Sequence, residues 1–327
     1  GTLFGKNTSA GVLNIITEAP EFQHGGSAEV QVGDYGHQRY ALSLTGPLIE
    51  DTLAFRLFGA DGKRDGFTNL VVQDGADINV TDSETEDYST VRGQLLWTPS
   101  PTVEGRIIAD YSERSEFCCS AVSWDYTATG AALVGAVTPP VLGGGVVFPA
   151  DPERRVAFAN RQYEQNVEDW GVSAEFDIEL PVGTITSVTA FRNWTNSRSQ
   201  DIDYSAADLA YRDADNNFTD LTRFSQEIRL TGATDNLDWL VGAFFSHEEL
   251  RLGDAIRYGE DWEPFLGNIA SGLTDPNFIS TNLNGLALGL LPGTPGLPGY
   301  TPIAPGGFFP EGSGVSQDVY DQTATSW

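Results

Sequence analysis

The chain has 327 residues, which is room for one large all-β domain or about two ordinary domains. Its formal net charge is −28, from 46 acidic and 18 basic residues, and this disfavours nucleic acid as a partner because phosphate contacts need clustered Lys and Arg. No apolar run approaches the roughly 18 residues of a membrane-spanning helix, whereas the strands of a membrane barrel need only about 9–11 residues each. The chain contains no methionine and no signal-peptide pattern, so we expect a processed product or an internal piece of a longer protein.

The chain opens with GTLFGKNTSAGVLNIITEAP, in which a glycine precedes a lysine as it does in phosphate-binding loops. A P-loop needs a glycine, four residues and then Gly-Lys-Ser/Thr before a helix. Here only three residues separate Gly1 from Gly5, and Asn7 replaces the hydroxyl residue. The short β-branched run that follows is typical of a strand. We therefore interpret this segment as a turn that leads into a strand, and we predict no nucleotide and no other cofactor.

Strand patterns with a period of two residues fill most of the remaining chain. The clearest is DWGVSAEFDIEL, where Trp170, Val172 and Phe176 share one face while Glu175, Asp177 and Glu179 share the other. TRFSQEIRLTG likewise places Glu227 and Arg229 opposite its apolar residues. The other segments with strand character are SAEVQVGDY, QRYALSLTG, DTLAFRLFGA, TVRGQLLWT, TVEGRIIADY, TITSVTAFRNW and LDWLVGAFFSHE. No segment shows a convincing helical stripe, and the nearest, 282–291, is interrupted by glycine.

Short and long connections alternate between these strands. Short turns are predicted at 46–50, 99–101, 181–183 and 233–236, and long polar loops at 62–87, 112–167, 196–221 and 251–316. An outer-membrane barrel has this asymmetry, with short periplasmic turns, long extracellular loops and polar side chains that face the lumen. A half-buried antiparallel sheet would explain the alternation of side chains but not the asymmetry of the loops. Within the loops, we interpret the acidic segments 73–87 and 201–220 as solvated, and the Gly/Pro-rich segment 290–312 as irregular and mobile.

The two cysteines, Cys118 and Cys119, are adjacent. Zinc sites need spaced ligands, so a metal centre built on this pair is disfavoured. A strained vicinal disulfide and a pair of free thiols both remain open, since consecutive Cα atoms lie closer together than in ordinary disulfides.

The opening segment resembles the end of the plug domain of the TonB-dependent outer-membrane receptors. In that family the plug closes with G-T-L-[YF]-G-[RK]-N-[ST]-x-[AG]-G-x-[IL]-N-[IV]-[IV]-[ST], and residues 1–17 match this form with little departure. GDYGHQRYALSLTGPLIEDTLAFRLFGADGKRDGF resembles the first three barrel strands of the family, and FSQEIRLTGATDNLDWLVGAFF resembles a later hairpin. The resemblance extends over the whole chain.

This resemblance implies an all-β fold, an antiparallel transmembrane β-barrel with the C-terminal end of a plug domain. The family barrel has about 22 strands around a plug, of which about 10 are expected here. Residues 1–20 would be the end of the plug, and residues 21–327 the N-terminal part of the barrel with its long extracellular loops. The residues implied at the junction of plug and barrel are Gly5, Lys6, Asn7, Gly11 and Asn14. Whether Lys6 pairs with a carboxylate of the wall or is solvated stays open.

The family performs active uptake of a scarce nutrient across the outer membrane of Gram-negative bacteria. The resemblance implies a ferric siderophore as the small-molecule ligand, lipid as the surroundings, and the TonB energy-coupling complex as the partner of the missing N-terminal region. Cobalamin, haem and oligosaccharides are alternative substrates. A passive porin-like channel and a secreted β-sandwich adhesin are alternative functions, and the plug motif argues against the porin. No nucleophile, metal or paired-carboxylate signature predicts an enzyme.

Ligand capture would use aromatic and arginine side chains of the outer loops, because aromatics suit planar ligands and arginine suits anionic ones. The candidates are Phe117, Trp124, Tyr126, Arg154, Arg155, Tyr204, Tyr211, Arg212, Tyr258 and Trp262. Each of them has an alternative role, which is to anchor its own loop.

Overall fold

The computed structural model describes residues 15–74, 77–125, 127–137, 152–290, 292–293 and 295–326. Over these residues the chain is mostly antiparallel β-sheet. Ten long strands follow one another in chain order around a single sheet, each paired antiparallel with the next. They are β1 (Gly25–Val32), β2 (Gln38–Ile49), β3 (Leu53–Arg64), β6 (Glu86–Ser100), β7 (Val103–Phe117), β9 (Glu164–Leu180), β10 (Gly183–Arg198), β13 (Phe218–Thr234), β14 (Leu237–Tyr258) and β15 (Gly314–Ser326). The expected number of about ten barrel strands is confirmed for the described residues.

The register of the ladders confirms that the two faces of the sheet differ in polarity. Val188 of β10 lies opposite both Glu175 and Glu227, and Thr186 lies opposite both Asp177 and Arg229. Directly opposed residues point to the same side of a sheet, so all these charges share one face. The other face carries large apolar side chains that are exposed in the isolated chain, among them Leu42, Leu57, Val91, Val172 and Ile228. A membrane barrel places the first face toward its lumen and the second toward lipid.

The strands are longer than their apolar patterns predicted. β7 continues to Phe117, and β14 continues to Tyr258, both inside segments that were predicted to be loops. At the ends of β7 and β14 that lie next to the long loops, polar residues occupy both faces of the sheet. The sequence therefore shows no alternation of polarity there that would predict a strand. The turn predicted at 46–50 is also misplaced, because β2 includes these residues to Ile49 and the turn follows at 50–52. Pro47 is accommodated by a register shift between Pro47 and Ile49, where the missing N–H does no harm.

The long loops contain regular structure that the sequence did not predict. β4 (Thr68–Asp74) and β5 (Asp77–Ser83) form a hairpin, and β8 (Val156–Ala159) pairs with β4 in parallel. Most of the described residues of the acidic segment 73–87 therefore belong to a hairpin and to the start of β6 rather than to an irregular loop, and residues 78–80 of this hairpin are exposed, as predicted for a solvated segment. Behind this small sheet lies a buried cluster of five residues: Leu70, Val72, Ala157, Ala159 and Tyr163.

Helices also occur in the loops, although none was expected. They are α1 (Ala128–Val137), α2 (Trp262–Ser271) and α3 (Phe278–Leu288), and two short strands, β11 (Gln200–Asp201) and β12 (Ala210–Arg212), extend the main sheet beside β14. Gly272 and Gly289 end α2 and α3 in the left-handed conformation, which side chains other than glycine rarely adopt. None of the helices in the described ranges is long and apolar enough to cross a membrane.

The segment 290–312 has no regular structure in its described residues, as predicted. Its position is nevertheless defined by contacts with the helices. The Asn284 side chain of α3 accepts hydrogen bonds from the Tyr300 hydroxyl and the Ile303 backbone N–H, each at 2.8 Å. The Glu263 carboxylate of α2 accepts one from the Phe308 backbone N–H at 3.0 Å.

The assignment of the two faces can be tested with an arginine on each side of β9. Val172→Arg places a cation at the middle of this strand on the apolar face, where such a charge costs about 2–4 kcal/mol at the bilayer midplane. We expect the free energy of unfolding of the full-length protein in lipid vesicles to fall by that amount in a denaturant titration. Ser173→Arg, which points to the polar face, is the matched control. An equal loss in both variants would contradict the assignment.

Candidate functional site

The polar face of the sheet carries a network of ion pairs. Arg192 of β10 bridges Asp110 of β7 at 2.8 Å and Asp169 of β9 at 2.7 Å. Arg92 of β6 lies 3.6 Å from the same Asp110, and Arg229 lies 3.2 Å from Glu227. The pairs of Arg192 and Arg92 join different strands, whereas the Arg229–Glu227 pair lies within β13. All of them lie on the face that a barrel turns toward its lumen, as expected for a wet, charged interior.

A segment that precedes the first strand lies against this polar face. Arg56 of β3 donates hydrogen bonds to the Ala19 carbonyl and the Glu18 carboxylate, both at 2.8 Å, and to the Glu21 carboxylate at 3.3 Å. Its side chain is only 9% exposed although it faces the side where a lumen would be. The segment 17–21 therefore covers Arg56 and satisfies its guanidinium.

Three further wall residues hold the same segment. Thr45 of β2 accepts a hydrogen bond from the Glu21 backbone N–H at 2.9 Å. Gln94 of β6 donates to the Glu18 carbonyl at 3.2 Å, and Arg106 of β7 donates to the Thr17 carbonyl at 3.1 Å. We call Thr45, Arg56, Gln94 and Arg106 the inner-wall grip.

Gly46 of β2 lies against the ring of His24, which follows the segment held by the grip. A Cβ atom at this position would lie 2.4 Å from Nδ1 of His24, so a side chain there would displace the His24 ring. Sequence reasoning did not find the inner-wall grip, because its members are spread over four strands. The predicted junction residues Gly5, Lys6, Asn7, Gly11 and Asn14 lie outside the described residues, and they stay a prediction.

Five of the ten ligand-binding candidates lie near the upper end of β14, but Tyr211 points to the opposite side of the sheet from Arg212 and Tyr258, because its neighbour Ala210 is the direct partner of Tyr258. Tyr258 stacks on Trp262 with ring centroids 5.4 Å apart, and β12 pairs Tyr211 with the neighbouring Arg257. Arg212 of β12 forms an ion pair with Asp254 at 2.7 Å. The Tyr204 hydroxyl accepts a hydrogen bond from Gln200, which lies opposite Arg212 in the ladder.

The other candidates do not join this group. Phe117 ends β7, and its backbone N–H donates to Thr85 at 2.9 Å. Trp124 is 81% exposed. Arg155 donates to the Tyr35 hydroxyl at 3.0 Å, which links the second long connection to the turn between β1 and β2, and Arg154 beside it is exposed. Tyr126 lies outside the described residues.

Cys118 and Cys119 form a vicinal disulfide directly after β7. This decides between the two states that the sequence left open. Cys119 has a positive φ of 74°, so the chain turns sharply at this point.

An aspartate that the sequence did not single out connects three of the long loops. The Asp208 carboxylate pairs with Arg161, which follows β8, and accepts a hydrogen bond from the Glu260 backbone N–H at 3.2 Å. The Asp208 backbone N–H donates to the Asp261 carboxylate at 2.9 Å, and the Asp261 backbone N–H donates to the Asp208 carbonyl at 2.8 Å. We call Arg161, Asp208 and Asp261 the Asp208 junction.

The Asp208 junction also orders the candidate group. The Arg161 guanidinium lies over the Tyr211 ring, 3.6 Å from its centroid, in a cation–π contact. Gly259 approaches the junction so closely that a Cβ there would lie 2.2 Å from the Asp208 carbonyl oxygen. The junction thus holds Tyr211 and the start of α2, with Trp262, in one arrangement.

Two more aspartates of this loop are withdrawn from solvent, Asp201 fully and Asp203 in part, which corrects the interpretation of 201–220 as solvated. The Asp203 carboxylate accepts hydrogen bonds from the Ser205 hydroxyl and from the backbone N–H groups of Leu209 and Ala210. Asp201 is fully buried, and its Oδ1 accepts bonds from the backbone N–H groups of Asp203 and Tyr204. The D-x-D-x-S spacing of turn-forming aspartates was the available signal.

The carboxylates of Asp201 and Asp203 differ in the number of hydrogen bonds that they accept. Oδ2 of Asp201 finds no hydrogen-bond donor within the described ranges, whereas both oxygens of Asp203 are satisfied. Burial, together with the neighbouring charge of Asp203, raises the pKa of Asp201 to about 8. Burial also raises the pKa of the nearby Tyr163 hydroxyl, which therefore stays protonated. No cluster of three metal-ligating side chains is found in the part of the chain that the structure describes.

No family model matches the sequence. Among solved structures, the chain is similar to the ferric yersiniabactin uptake receptor FyuA from Yersinia pestis, with 15% identity and a TM-score of 0.57 over 76% of this chain and 34% of that one. It is similar to the siderophore receptor PiuA from Acinetobacter baumannii, with 14% identity and a TM-score of 0.53 over 74% of this chain and 34% of that one. A structure of the FpvAI–pyocin S2 complex matches with 15% identity and a TM-score of 0.52, over 76% of this chain and 32% of the other.

These similarities confirm, at the level of the fold, the resemblance to TonB-dependent receptors that the sequence predicted. The chain has the fold of a segment of their β-barrel. It spans about a third of the length of each structure that it matches.

The Asp208 junction can be tested with Asp208→Ala in the full-length protein. This change removes the acceptor of the Glu260 backbone N–H, and hydrogen bonds to charged groups are worth about 1.5–3 kcal/mol. We expect the hydrogen-exchange protection of Glu260 to fall at least about tenfold. Asp215→Ala, an exposed aspartate of the same loop, is the control. Unchanged protection in Asp208→Ala would show that the loops are held by other contacts.

The protonation of Asp201 predicts a pH-dependent loop. Since its pKa is raised in the folded loop from an ordinary value of 3.8 to about 8, the folded loop keeps a proton that the unfolded loop releases. The stability of the loop should therefore fall as the pH rises through this window. Exchange protection at 200–210, corrected for the intrinsic pH effect, should decrease between pH 4 and pH 8. Asp201→Asn should remove most of the dependence, and an unchanged slope in this variant would exclude Asp201 as its source.

Proposed function

We propose that this chain is the first part of the barrel, with the end of the plug, of a TonB-dependent outer-membrane receptor. The receptor takes up a scarce nutrient actively, and a ferric siderophore is the substrate that we favour. The observation that carries this proposal is the inner-wall grip. Four strands of the wall hold one chain segment against the face that a barrel turns to its lumen.

A passive channel is disfavoured by the same observation. An open pore needs a free lumen, whereas here the buried Arg56 and Gln94 side chains donate hydrogen bonds to residues 17–21, which cover them. In the sequence, this segment directly follows the plug-like motif, 1–17. We accordingly propose residues 1–20 as the end of the plug and residues 21–327 as the barrel part, placed in the outer membrane of a Gram-negative bacterium.

Two observations support the proposed substrate. Two of the similar structures are a ferric yersiniabactin receptor and a siderophore receptor. In this chain, Tyr258 and Trp262 offer stacking surfaces on the side of the sheet to which Arg212 also points, and such an arrangement suits aromatic and anionic chelates. Tyr204 and Tyr211 lie nearby and stay candidates. Cobalamin, haem and oligosaccharides remain the alternative substrates. The TonB energy-coupling complex is the proposed source of energy, and we propose no catalytic activity.

Uptake of radiolabelled ferric siderophores by cells with the full-length protein tests this proposal. We expect uptake that is abolished by a proton-motive-force uncoupler, because an energised partner must act on the plug. Cells without the protein are the control. Uptake that is insensitive to the uncoupler would indicate a passive channel. If the protein reaches the outer membrane but takes up no siderophore, the substrate belongs to one of the other classes.

The inner-wall grip can be tested separately from transport. In Arg56→Ala combined with Arg106→Ala, the segment 17–21 loses charge-assisted bonds that are worth about 1.5–3 kcal/mol each. We expect faster hydrogen exchange at Glu21, whose N–H lies within the grip. Arg229→Ala, which removes a wall arginine paired with Glu227, is the matched control. If both variants exchange like the parent, the grip does not hold the segment.

A further inference from the structure

The vicinal disulfide lies where different segments of the long connections meet. It follows β7 directly, at the start of the second long connection. Sγ of Cys118 lies 3.2 Å and Sγ of Cys119 lies 3.9 Å from Oε1 of Gln165, at the start of β9, where the same connection ends. The Ser120 hydroxyl, beside the disulfide, donates to the Glu84 carboxylate at 3.3 Å. The disulfide thus contacts the far end of its own connection and adjoins a bond to the segment that precedes β6.

The backbone has a positive φ on both sides of this meeting point. The φ of Cys119 is 74° and that of Glu84 is 66°, values that residues other than glycine rarely adopt because Cβ then crowds the backbone. Next to them, the Thr85 N–H donates to the Phe117 carbonyl at 3.0 Å, and the Phe117 N–H donates to the Thr85 hydroxyl at 2.9 Å. The conformation of the chain at Cys119 is therefore coupled to its conformation at Glu84.

The disulfide maintains the conformation of Cys119. A bond between adjacent cysteine side chains closes a small ring around the peptide that joins them, and this ring restricts the φ of the second cysteine. After reduction the restriction is lost, and the ordinary preference of an L-residue favours a negative φ, which moves Ser120 away from Glu84.

The surroundings also suit the reduced pair. Oε1 of Gln165 receives no proton from the disulfide, whereas two thiols at the same place would present S–H donors to it. Both the oxidised and the reduced state can therefore be accommodated beside β9.

We propose that Cys118 and Cys119 form a thiol-exchange site, and that its reduction by a small dithiol releases the start of the second long connection from the segment that precedes β6. Cys119 is the more exposed of the two, so the incoming thiolate attacks its sulfur, and Cys118 leaves as a thiolate that takes a proton. The second thiol of the reagent then attacks the mixed disulfide. The reagent departs as a cyclic disulfide, oxidised by the two electrons that the protein gains, and Cys119 is left as a thiol.

The same connection carries the change toward the ligand candidate Tyr211. Arg161, which precedes β9, pairs with Asp208 and lies over the Tyr211 ring. Glu164 anchors this part of the connection, because its N–H donates to the Ser199 hydroxyl and its carbonyl accepts from the Ser199 N–H, both at 2.8 Å. We expect the order of Tyr211 to decrease in the reduced form. The inference rests on contacts between loops and does not depend on the proposed transport.

Hydrogen exchange of the full-length protein in detergent micelles, with and without dithiothreitol, tests this proposal. We expect exchange at Thr85, whose N–H is bonded to the Phe117 carbonyl, to become about tenfold faster on reduction, since a hydrogen bond is lost. Thr98, whose N–H is bonded to the Thr52 carbonyl at 2.8 Å at the opposite end of the sheet, is the internal control. Alkylation with iodoacetamide is read on the peptide that contains both cysteines. It should modify neither cysteine before reduction and both cysteines after it.

Two double variants separate a redox response from a purely structural role. Cys118→Ser with Cys119→Ser lacks the bond and keeps a side chain that disfavours a positive φ, so exchange at Thr85 should match the reduced parent with or without dithiothreitol. Cys118→Ser with Cys119→Gly also lacks the bond, but glycine adopts a positive φ freely. Thr85 should therefore exchange more slowly in this variant than in the serine variant. Heat-modifiable gel mobility checks that both variants fold.

Several results would overturn the proposal. Alkylation of the parent before reduction would show that the bond is absent, and no alkylation after it would show that the disulfide is not an exchange site. Alkylation of both cysteines with unchanged exchange at Thr85 would show that reduction releases nothing. A response to dithiothreitol that persists in the serine variant would place its source elsewhere. None of these measurements involves uptake, so their outcome is separate from that of the proposed transport.

Discussion

The structure depends on the pairing of the backbone in one continuous antiparallel ladder. Within hydrocarbon no water is available to the peptide groups, so each N–H and C=O must find a partner in the protein. Ten strands paired in chain order meet this requirement for the described residues, apart from the outer edges of β1 and β15. Because side chains alternate across a strand, the same ladder sorts polar residues to one face and apolar residues to the other.

Buried side chains on the polar face need hydrogen-bond partners, and residues 17–21, which precede the first strand, provide several of them. Arg56 and Gln94 are buried, and burying such groups is unfavourable unless each is hydrogen-bonded. Carbonyl groups and carboxylates of residues 17–21 supply these bonds. The contact is polar, so water can take the place of these hydrogen bonds when the segment leaves the wall.

The loops are organised by a different principle. The buried apolar cluster of the loops is small. Carboxylates that accept hydrogen bonds from backbone N–H groups hold the loop backbone in place, as a hydrophobic core does in other proteins. Asp203 shapes its own loop, and Asp208 joins three loops to one another. Part of the large negative charge of the chain is thus structural. The aromatic candidates Tyr211 and Trp262 take their positions from these carboxylates, so ligand contacts and loop architecture are coupled.

The sequence by itself determined the all-β class, the presence of about ten long strands, the polarity of each face and the alternation of short turns with long connections. All of these follow from a repeat of two residues and from local turn signals, which need no knowledge of distant contacts. Only the tertiary structure decided that Cys118 and Cys119 are joined, that the loops contain helices, and that Asp201 is buried. It also decided which distant residues meet. Asp208 and Asp261, for example, are joined by a hydrogen bond although 53 positions separate them in the chain. Contacts over such distances leave no periodic trace in a single sequence, because the partner that satisfies a polar side chain is chosen by the fold.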